Sequence, residues 1–302
     1  MPASLRELRE RRKSVSATKK ITRAMELVAS SRIIRAQQTA ARALPFTREL
    51  NRAVSAVAIR SDLDHPLTNE VENPKRVAVL FITSDRGMNG AYSSNVIKTV
   101  AAFRQRMEEE GKEVVRYVVG RKGIGYLTYR GMPIEAKWEG FSDSPTFDRA
   151  VEISDRLLAD FLLPTEEGGV DEIWAVYTRM ESMLTQTPRA RRVLPLEVVE
   201  GVHEPTKDEA VPLYLFEPDP ETVLDSLLPL YIRSRIWFYL LQSAASQLAS
   251  QQRAMKSATD NAQQLIERLT REANQARQAE ITQEISEIVG GASALADLTE
   301  ND

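Results

Sequence analysis

Apolar and polar positions follow a helical pattern over the last long stretch of the chain. Residues 230–289 contain neither Gly nor Pro, and they are rich in residue types that favour helices. Apolar residues recur there every seven positions, with others three or four positions away, as in a coiled coil. The pattern predicts a long helix with a thin, alanine-rich seam that needs a partner helix along its length. The heptad positions are Leu241, Leu248, Met255, Ala262, Leu269 and Ala276.

A second helical pattern covers the first 60 residues. One apolar stripe at helical spacing runs along residues 3–44, which also lack Gly and Pro. Ser4 is the predicted N-cap, and Glu7 completes a capping-box pattern three residues later. Pro45 is a predicted kink, beyond which the stripe resumes. Antiparallel pairing of the two terminal helices is the simplest arrangement, because the middle of the chain then closes one end of the hairpin.

The middle of the chain has the alternating strand and helix pattern of an α/β domain. The continuous apolar run Arg76–Thr83 is typical of a buried strand in a parallel sheet. The alternation predicts a Rossmann-like open sheet. The other predicted strands are Glu113–Gly120, Pro133–Trp138, Asp171–Thr178 and Arg192–Val199, and the predicted helices are Ala91–Glu110, Lys122–Arg130 and Thr146–Leu163.

The predicted fold class is therefore α/β, with a long antiparallel coiled coil of the N- and C-terminal helices and a central Rossmann-like open-sheet domain. The expected bounds are 1–60 for the N-terminal helix, 67–212 for the sheet domain, 213–292 for the C-terminal helix and 293–302 for a tail. An acidic loop is expected at Thr165–Val170.

Composition narrows the possible chemistry. The chain has no Cys and only two histidines, His65 and His203, which argues against disulfides and against thiolate or histidine-rich metal sites. No run of 18 apolar residues occurs, so no transmembrane helix is predicted. The basic N-terminus lacks the apolar core of a signal peptide. We expect a cytosolic protein without a metal or a cofactor.

Charge is distributed unevenly along the chain. Residues 1–60 carry 14 Lys and Arg against four Glu, whereas residues 61–229 carry 19 against 30 Asp and Glu. A basic helix on an acidic protein predicts an acidic partner, either nucleic acid or acidic protein loops. A coiled-coil arm that binds nucleic acid is therefore an alternative. The basic stretch has no aromatic residue before Phe46, however, and single-strand binders use aromatic platforms.

The segment between the first predicted strand and the next helix is where phosphate-binding loops lie in such folds. Residues 83–90 match neither G-x-G-x-x-G nor a P-loop, and Ser84 has no histidine to act as its base. We interpret Gly87 and Gly90 as residues that permit a tight turn. A Rossmann enzyme with a dimerising coiled coil is the other reading, but no catalytic residue is predicted.

Three stretches of the sequence together resemble the gamma subunit family of the rotary F-type ATP synthase, in its bacterial form. They are Lys19–Ser30, Ser84–Tyr92 and Ala254–Ala262, and the last is continued by Ala276–Ala292. The resemblance covers essentially the whole chain, including the segment Tyr214–Pro220.

This resemblance implies a non-catalytic rotor shaft. In that family the terminal helices form an antiparallel coiled coil inside a ring of alpha and beta subunits. The open-sheet domain lies towards the membrane, where it meets the epsilon subunit and the c-subunit ring; a delta subunit completes the expected partners. Rotation of the c ring, driven by protons, turns the shaft, which changes the conformation of each beta subunit in sequence. No nucleic acid is then expected, and the location is peripheral, on the cytoplasmic face of the plasma membrane.

The resemblance also implies which residues touch the partners. Tyr214 and Glu217 are expected at the foot, next to the c ring and epsilon. Gln247 and Gln251 depart from the Glu and Arg that the family often has, which puts one contact with the beta subunits in doubt. The expected contacts with the alpha and beta subunits are Lys19, Lys20, Arg23, Met25, Gln251, Arg277, Gln278, Thr282, Ile285 and Ile288.

Overall fold

A computed structural model describes residues 4–60, 66–196, 217 and 219–299 of the chain. It divides into two compact units, residues 1–28 with 252–302 and residues 29–251. The helices are α1 (Leu5–Arg60), α2 (Tyr92–Glu109), α3 (Arg121–Tyr129), α4 (Phe147–Leu162) and α5 (Pro220–Thr299). The strands are β1 (Arg76–Ile82), β2 (Glu113–Val119), β3 (Ala136–Trp138), β4 (Glu172–Met180) and β5 (Gln186–Leu194).

The smaller unit is an antiparallel pair made by the start of α1 and the later part of α5. Leu8 packs against Leu269 and Ala273 in one apolar cluster. Further along α1, the Thr22 hydroxyl lies 2.8 Å from that of Thr259. The partner number falls as the α1 number rises, so the helices run in opposite directions. This confirms the predicted antiparallel pairing within this unit.

The capping box at the start of α1 is also confirmed. The backbone N–H of Glu7 donates to Ser4 Oγ at 3.3 Å, and the backbone N–H of Ser4 donates to Glu7 Oε2 at 3.0 Å. The two side chains therefore satisfy each other's backbone donors, which a helix end otherwise leaves unpaired.

The larger unit contains a five-stranded sheet in the order β3-β2-β1-β4-β5. The first four strands in this order are parallel, and β5 pairs antiparallel with β4. Alternate residues of β1 enter opposite cores. Ala78, Leu80 and Ile82 pack beneath α4, α5 and the end of α1, whereas Val77, Val79 and Phe81 pack beneath α2 and α3. The open α/β sheet is therefore confirmed.

One predicted strand was placed wrongly. The pattern predicted a strand at Arg192–Val199, whereas β5 occupies Gln186–Leu194 and forms a hairpin with β4. The first residues of β5 are polar and include Pro188. An edge strand can be polar and can tolerate Pro, so it lacks the apolar run on which the prediction relied.

Both long helices continue through a proline. Pro45 lies inside α1 and Pro229 inside α5. Gly290 and Gly291 also lie inside α5, which ends at Thr299 rather than at 292. The acidic segment at Thr165 begins with a short 3-10 helix, Thr165–Glu167. The remaining predicted strands and helices of the sheet domain agree with the structure to within three residues at each end, whereas the C-terminal helix, expected from residue 213, begins at Pro220.

The start of α3 packs tightly against the ends of β1 and β2, and two glycines permit this. Gly120 has φ 97°, and a Cβ there would lie 2.3 Å from the carbonyl oxygen of Thr83. A Cβ on Gly123 would lie 2.7 Å from Val118 Cγ2. The backbone N–H of Gly123 donates to Thr83 Oγ1 at 2.9 Å, so the helix cannot move away without losing that bond.

Two glycines of α3 should respond to alanine in opposite ways. We expect Gly123→Ala to lower the free energy of unfolding by about 1–3 kcal/mol, because the methyl group overfills a packed contact. The matched variant Gly125→Ala meets nothing within 4 Å and should raise it by about 0.4–1 kcal/mol. Urea denaturation measures both; equal effects of the two substitutions would contradict the packing described for Gly123.

Candidate functional site

The sheet has a topological switch point between β1 and β4, since β2 follows on one side of β1 and β4 lies on the other. Nucleotide-binding sheets bind their ligand there, at the carboxyl ends of the strands. In this chain α5 satisfies the backbone at that end of β4. The Thr178 N–H donates to Ser243 Oγ at 3.4 Å, and Ser246 Oγ donates to the Thr178 carbonyl at 3.0 Å. Two backbone groups near this strand end are therefore already bound by the chain's own side chains.

The segment after β1 is likewise held by internal hydrogen bonds. Asp85 accepts the backbone N–H of Arg121 at 3.2 Å and that of Ser142 at 2.9 Å. Burial opposes the charge of Asp85, but hydrogen bonds from Gly140, Ser142 and Arg121 outweigh it and lower the pKa of the carboxyl. A carboxylate of the chain therefore occupies the start of α3, where a phosphate would otherwise be favoured.

Ser84 is also tied into this network. Its hydroxyl lies 2.7 Å from that of Ser93, and both side chains are buried. A nucleophilic serine needs a base and access to substrate, and neither is present at Ser84 among the described residues. The geometry therefore disfavours the reading of the sheet domain as a nucleotide-dependent enzyme.

Two residues of the turn after β1 have the left-handed backbone conformation. Gly90 has φ 58°, which glycine adopts without strain. Gly87 has no positive φ, and a Cβ there would make an ordinary contact at 3.7 Å with Lys122. Met88 has φ 63° instead, which is uncommon for a residue with a side chain. Nothing in the sequence signalled this role for Met88.

The basic residues of α1 differ in how far they are already bound within the chain. Lys19 Nζ donates to Gln263 Oε1 at 2.5 Å, across the helix pair. Arg23 pairs with both carboxylate oxygens of Glu26, at 3.0 and 2.9 Å. Lys20 is exposed and has no ion pair within the part of the chain that the structure describes. Lys20 is thus the most available of the three.

Five of the expected contact residues on α5 lie beyond the end of the helix pair: Arg277, Gln278, Thr282, Ile285 and Ile288. Leu5, at the start of α1, packs in the same cluster as Ala276. Every residue from 277 to 292 is exposed. Four apolar side chains are 44–71% exposed there, and we call them the apolar tip: Ile281, Ile285, Ile288 and Val289. Arg277, Gln278 and Thr282 share this exposed stretch.

The remaining expected residues are scattered. Met25 is half-buried on α1, and Gln251 is half-buried on α5 in the larger unit. Gln247 is only 3% exposed, and its Oε1 has no hydrogen bond to any described residue. Glu217 is exposed at a bend, whereas Tyr214 lies outside the described residues. Met25 belongs to the smaller unit, whereas Gln247, Gln251 and Glu217 belong to the larger one.

Polar residues inside the helix seam were missed by the sequence pattern. Thr22 and Thr259 are both buried between the paired helices. Each hydroxyl also lies within hydrogen-bond distance of a carbonyl of its own helix, that of Lys19 for Thr22 and that of Met255 for Thr259. Because a hydroxyl has one hydrogen, one of the two donates to the other hydroxyl and the other donates to its own helix. A polar residue at a seam position is the signal that could have identified this pair.

Two kinds of site find no support in the described ranges. No cluster of three or more His, Asp or Glu residues that could hold a metal ion occurs there. None of the helices described has an apolar segment of the length and hydropathy needed to cross a bilayer.

Comparison with known proteins decides the family. A family model described as ATP synthase matches residues 4–295. The ATP synthase gamma chain of Nocardioides sp. is 59% identical over 297 residues, which cover 98% of each chain. That of Streptomyces coelicolor is 53% identical, again over 98% of each chain. This chain belongs to the ATP synthase gamma chain family. The resemblance carried by the three sequence stretches is thereby confirmed.

Solved structures agree on the fold of this gamma chain family member. A chain of the Euglena gracilis mitochondrial ATP synthase, in an assembly of OSCP, F1 and c-ring, has a TM-score of 0.67 at 16% identity and covers 96% of this chain and 94% of its own. A chain of the central stalk and c-ring of the Tetrahymena thermophila enzyme has a TM-score of 0.56 at 22% identity, and covers 79% and 99%. Nothing in the family or in these structures supports the nucleic-acid-binding alternative.

Asp85 should make the stability of the sheet domain depend on pH. Its folded-state pKa is lowered, so its contribution is present above the ordinary carboxyl pKa of 3.8 and is lost as the pH falls through the folded-state value. We expect Asp85→Asn to lower the free energy of unfolding at neutral pH and to flatten its decline on acidification below about pH 4. Urea denaturation at several pH values measures this. The exposed Asp148 provides the control Asp148→Asn, and an equal flattening there would contradict the role of Asp85.

Proposed function

We propose that this chain is the rotating shaft of the central stalk of a bacterial ATP synthase, and that it has no catalytic activity of its own. The observation that carries the proposal is the antiparallel helix pair from which α5 continues alone, with an exposed apolar tip. Family membership supports the assignment to the complex. Torque would pass through the shaft between the proton-driven c ring and the catalytic beta subunits.

The proposed partners are the ring of alpha and beta subunits, the epsilon and delta subunits and the c-subunit ring. Their support is the naming of the relatives as ATP synthase gamma chains and the assemblies in which the structural neighbours occur. Tyr214 and Glu217 are the proposed foot that meets the c ring and epsilon. The proposed location is the cytoplasmic face of the plasma membrane, reached through the complex.

The apolar tip suits a shaft that turns inside a sleeve. Apolar contacts are non-directional, so they stabilise the tip in the centre without favouring one angle of rotation strongly. Ile285 and Ile288 are 57% and 71% exposed, so most of their surface is available to a partner. Arg277, Gln278 and Thr282 are proposed to touch the sleeve on the same stretch.

The basic side chains of α1 suit contacts that must break and form again. Exposed ion pairs contribute only about 0–1 kcal/mol each, so a rotating surface can exchange them at little cost. Lys20, with the exposed Arg9, Arg12 and Lys13, is available for such pairs with acidic loops of the beta subunits. Lys19 and Arg23 would first have to leave Gln263 and Glu26. We therefore assign Lys20 the larger part of this role.

The glutamine positions of α5 contribute less than in relatives that carry Glu and Arg there. Gln247 is buried in the larger unit, so a loop of a beta subunit could not reach its amide without a rearrangement. Gln251 is half-buried and neutral. We propose that Gln251 makes at most a neutral hydrogen bond to the sleeve.

The apolar tip should be needed for assembly or coupling. We expect Ile285→Asp combined with Ile288→Asp to lower coupled ATP-driven proton pumping by about tenfold or more, because it brings charges into a dry contact. The control is Glu284→Gln with Glu287→Gln, on the same exposed stretch, which should leave pumping near normal. Pumping is measured in membranes that contain the whole enzyme.

Deletion of the apolar tip is a second test of its role in assembly or coupling. Deletion of residues 283–302 should weaken assembly or torque while the sheet domain stays folded, because that domain lies within residues 29–251. Co-purification with the alpha and beta subunits measures assembly, and circular dichroism measures folding. Full coupling in the enzyme with the truncated chain would contradict the role proposed for the apolar tip.

Met25 should be sensitive to charge. We expect Met25→Lys to reduce the ratio of protons pumped to ATP hydrolysed several-fold, because a half-buried apolar contact with the beta subunits gains a charge. Leu27→Lys is the matched control, since it adds the same charge at a residue that is 58% exposed. Normal pumping in Met25→Lys, or an equal defect in both variants, would argue against a specific contact at Met25.

A further inference from the structure

An arginine stands at a core-facing position of the sheet. Val114 and Val118 of β2 point into the core beneath α2 and α3, and Arg116 lies between them on the same face. Its side chain is half-buried, and no described residue forms a hydrogen bond or an ion pair with its guanidinium. Valine or isoleucine would normally occupy such a position. The presence of a positive charge at this position is therefore not explained by the stability of the sheet.

The surroundings of Arg116 do not compensate its charge. Burial lowers the pKa of Arg116, and the nearby charge of Arg104 lowers it further. Glu108 and Glu113 attract it from a distance but do not restore the ordinary value. A partly desolvated cation that neighbouring carboxylates compensate only in part is more typical of a ligand site than of a structural one.

Arg116 opens onto a cavity of about 200 Å³ between α2 and α3. Its apolar wall includes Phe81, Val100 and Leu127, which belong to the buried core. Two more guanidiniums line it, those of Arg104 and Arg130. No acidic residue occurs among the described residues of the lining. The cavity thus combines an apolar interior with three cations.

The two other arginines are only weakly held. Arg104 lies 3.7 Å from Glu108, which is too long for a strong charged hydrogen bond. Arg130 lies over the ring of Tyr126, with 5.3 Å between the guanidinium carbon and the ring centre. Both can turn towards an anion at little cost, and the Tyr126 ring offers a face for stacking.

We propose that this cavity binds a small aromatic acid, a single ring that carries a carboxylate or a phosphate. The volume exceeds the roughly 150 Å³ of an apolar cavity that holds benzene, so one ring fits against Phe81 and Leu127. The planar guanidinium group matches the geometry of a carboxylate or a phosphate. Arg116 would therefore bind the acid group of the ligand. The cavity shares no residue with the surfaces proposed to touch the rest of the rotary enzyme.

Calorimetric titration of the full chain with phenyl phosphate and with 3-phenylpropionate tests the proposal and distinguishes phosphate from carboxylate. We expect at least one of them to bind at least tenfold more tightly than benzyl alcohol, which has the ring without the charge, and than inorganic phosphate. Chemical shifts of the Met132 methyl group, which lines the cavity, should move on binding. Binding of both acids no tighter than that of the two controls would overturn the proposal.

Substitution of Arg116 separates a ligand role from a structural one. Arg116→Leu should weaken binding at least tenfold and raise the Tm of the free chain by about 2–4 °C, because it removes an uncompensated charge from a core-facing position. The control Arg121→Leu removes an exposed arginine at the start of α3 and should leave binding unchanged. Unchanged binding in Arg116→Leu, or a lowered Tm with binding intact, would contradict the proposed site.

Discussion

Burial of the first part of α5 against the sheet is the packing on which the larger unit depends. Its stripe of fully buried side chains recurs every three or four residues and faces β1, β2 and β4 in one core. Each such side chain contributes about 1.5–3 kcal/mol on burial, and a domain's net stability is only about 5–15 kcal/mol. The stripe consists of Leu224, Leu228, Ile232, Ile236, Tyr239 and Leu240. Loss of this contact would leave one face of the sheet uncovered.

The same contact affects the edge of the sheet at which nucleotide-binding sheets hold their ligands. Helix α5 brings Ser243 and Ser246 to the carboxyl end of β4, and Asp85 closes the start of α3. The positions that bind phosphates in nucleotide-binding sheets are thereby used for internal hydrogen bonds. One face of the sheet packs against α4, the first part of α5 and the end of α1, and the fold by itself does not determine a function.

Much of the architecture could be predicted from the sequence because it rests on repeated patterns. The terminal helices and β1 have long, regular apolar signals, and the capping box of Ser4 and Glu7 is a local code. Strand β5 could not be predicted, since a polar edge strand has no such signal. The ion pair between Arg23 and Glu26 could not be predicted either, because an arginine side chain can reach different partners in different rotamers.

The functional residues were less predictable than the fold for a physical reason. Which side of a helix is free depends on residues more than two hundred positions away, as the bond between Lys19 and Gln263 shows. Arg116 was not singled out from the sequence, because a charged residue in a strand is ordinary at an exposed position. Only the alternation of Val114 and Val118 around it reveals that it faces a core.

The hydroxyl pair of Thr22 and Thr259 has a consequence for a shaft under load. A seam of alanines and leucines alone would tolerate a slip of one heptad, because the shapes repeat. A slip in one direction would place Thr22 opposite Ile266 and separate the two hydroxyls. A slip in the other would bring Lys19 opposite Lys256, where like charges repel. The polar seam residues therefore favour one register of the paired helices and oppose a slip in either direction, so that the pair can transmit twist without a change of register.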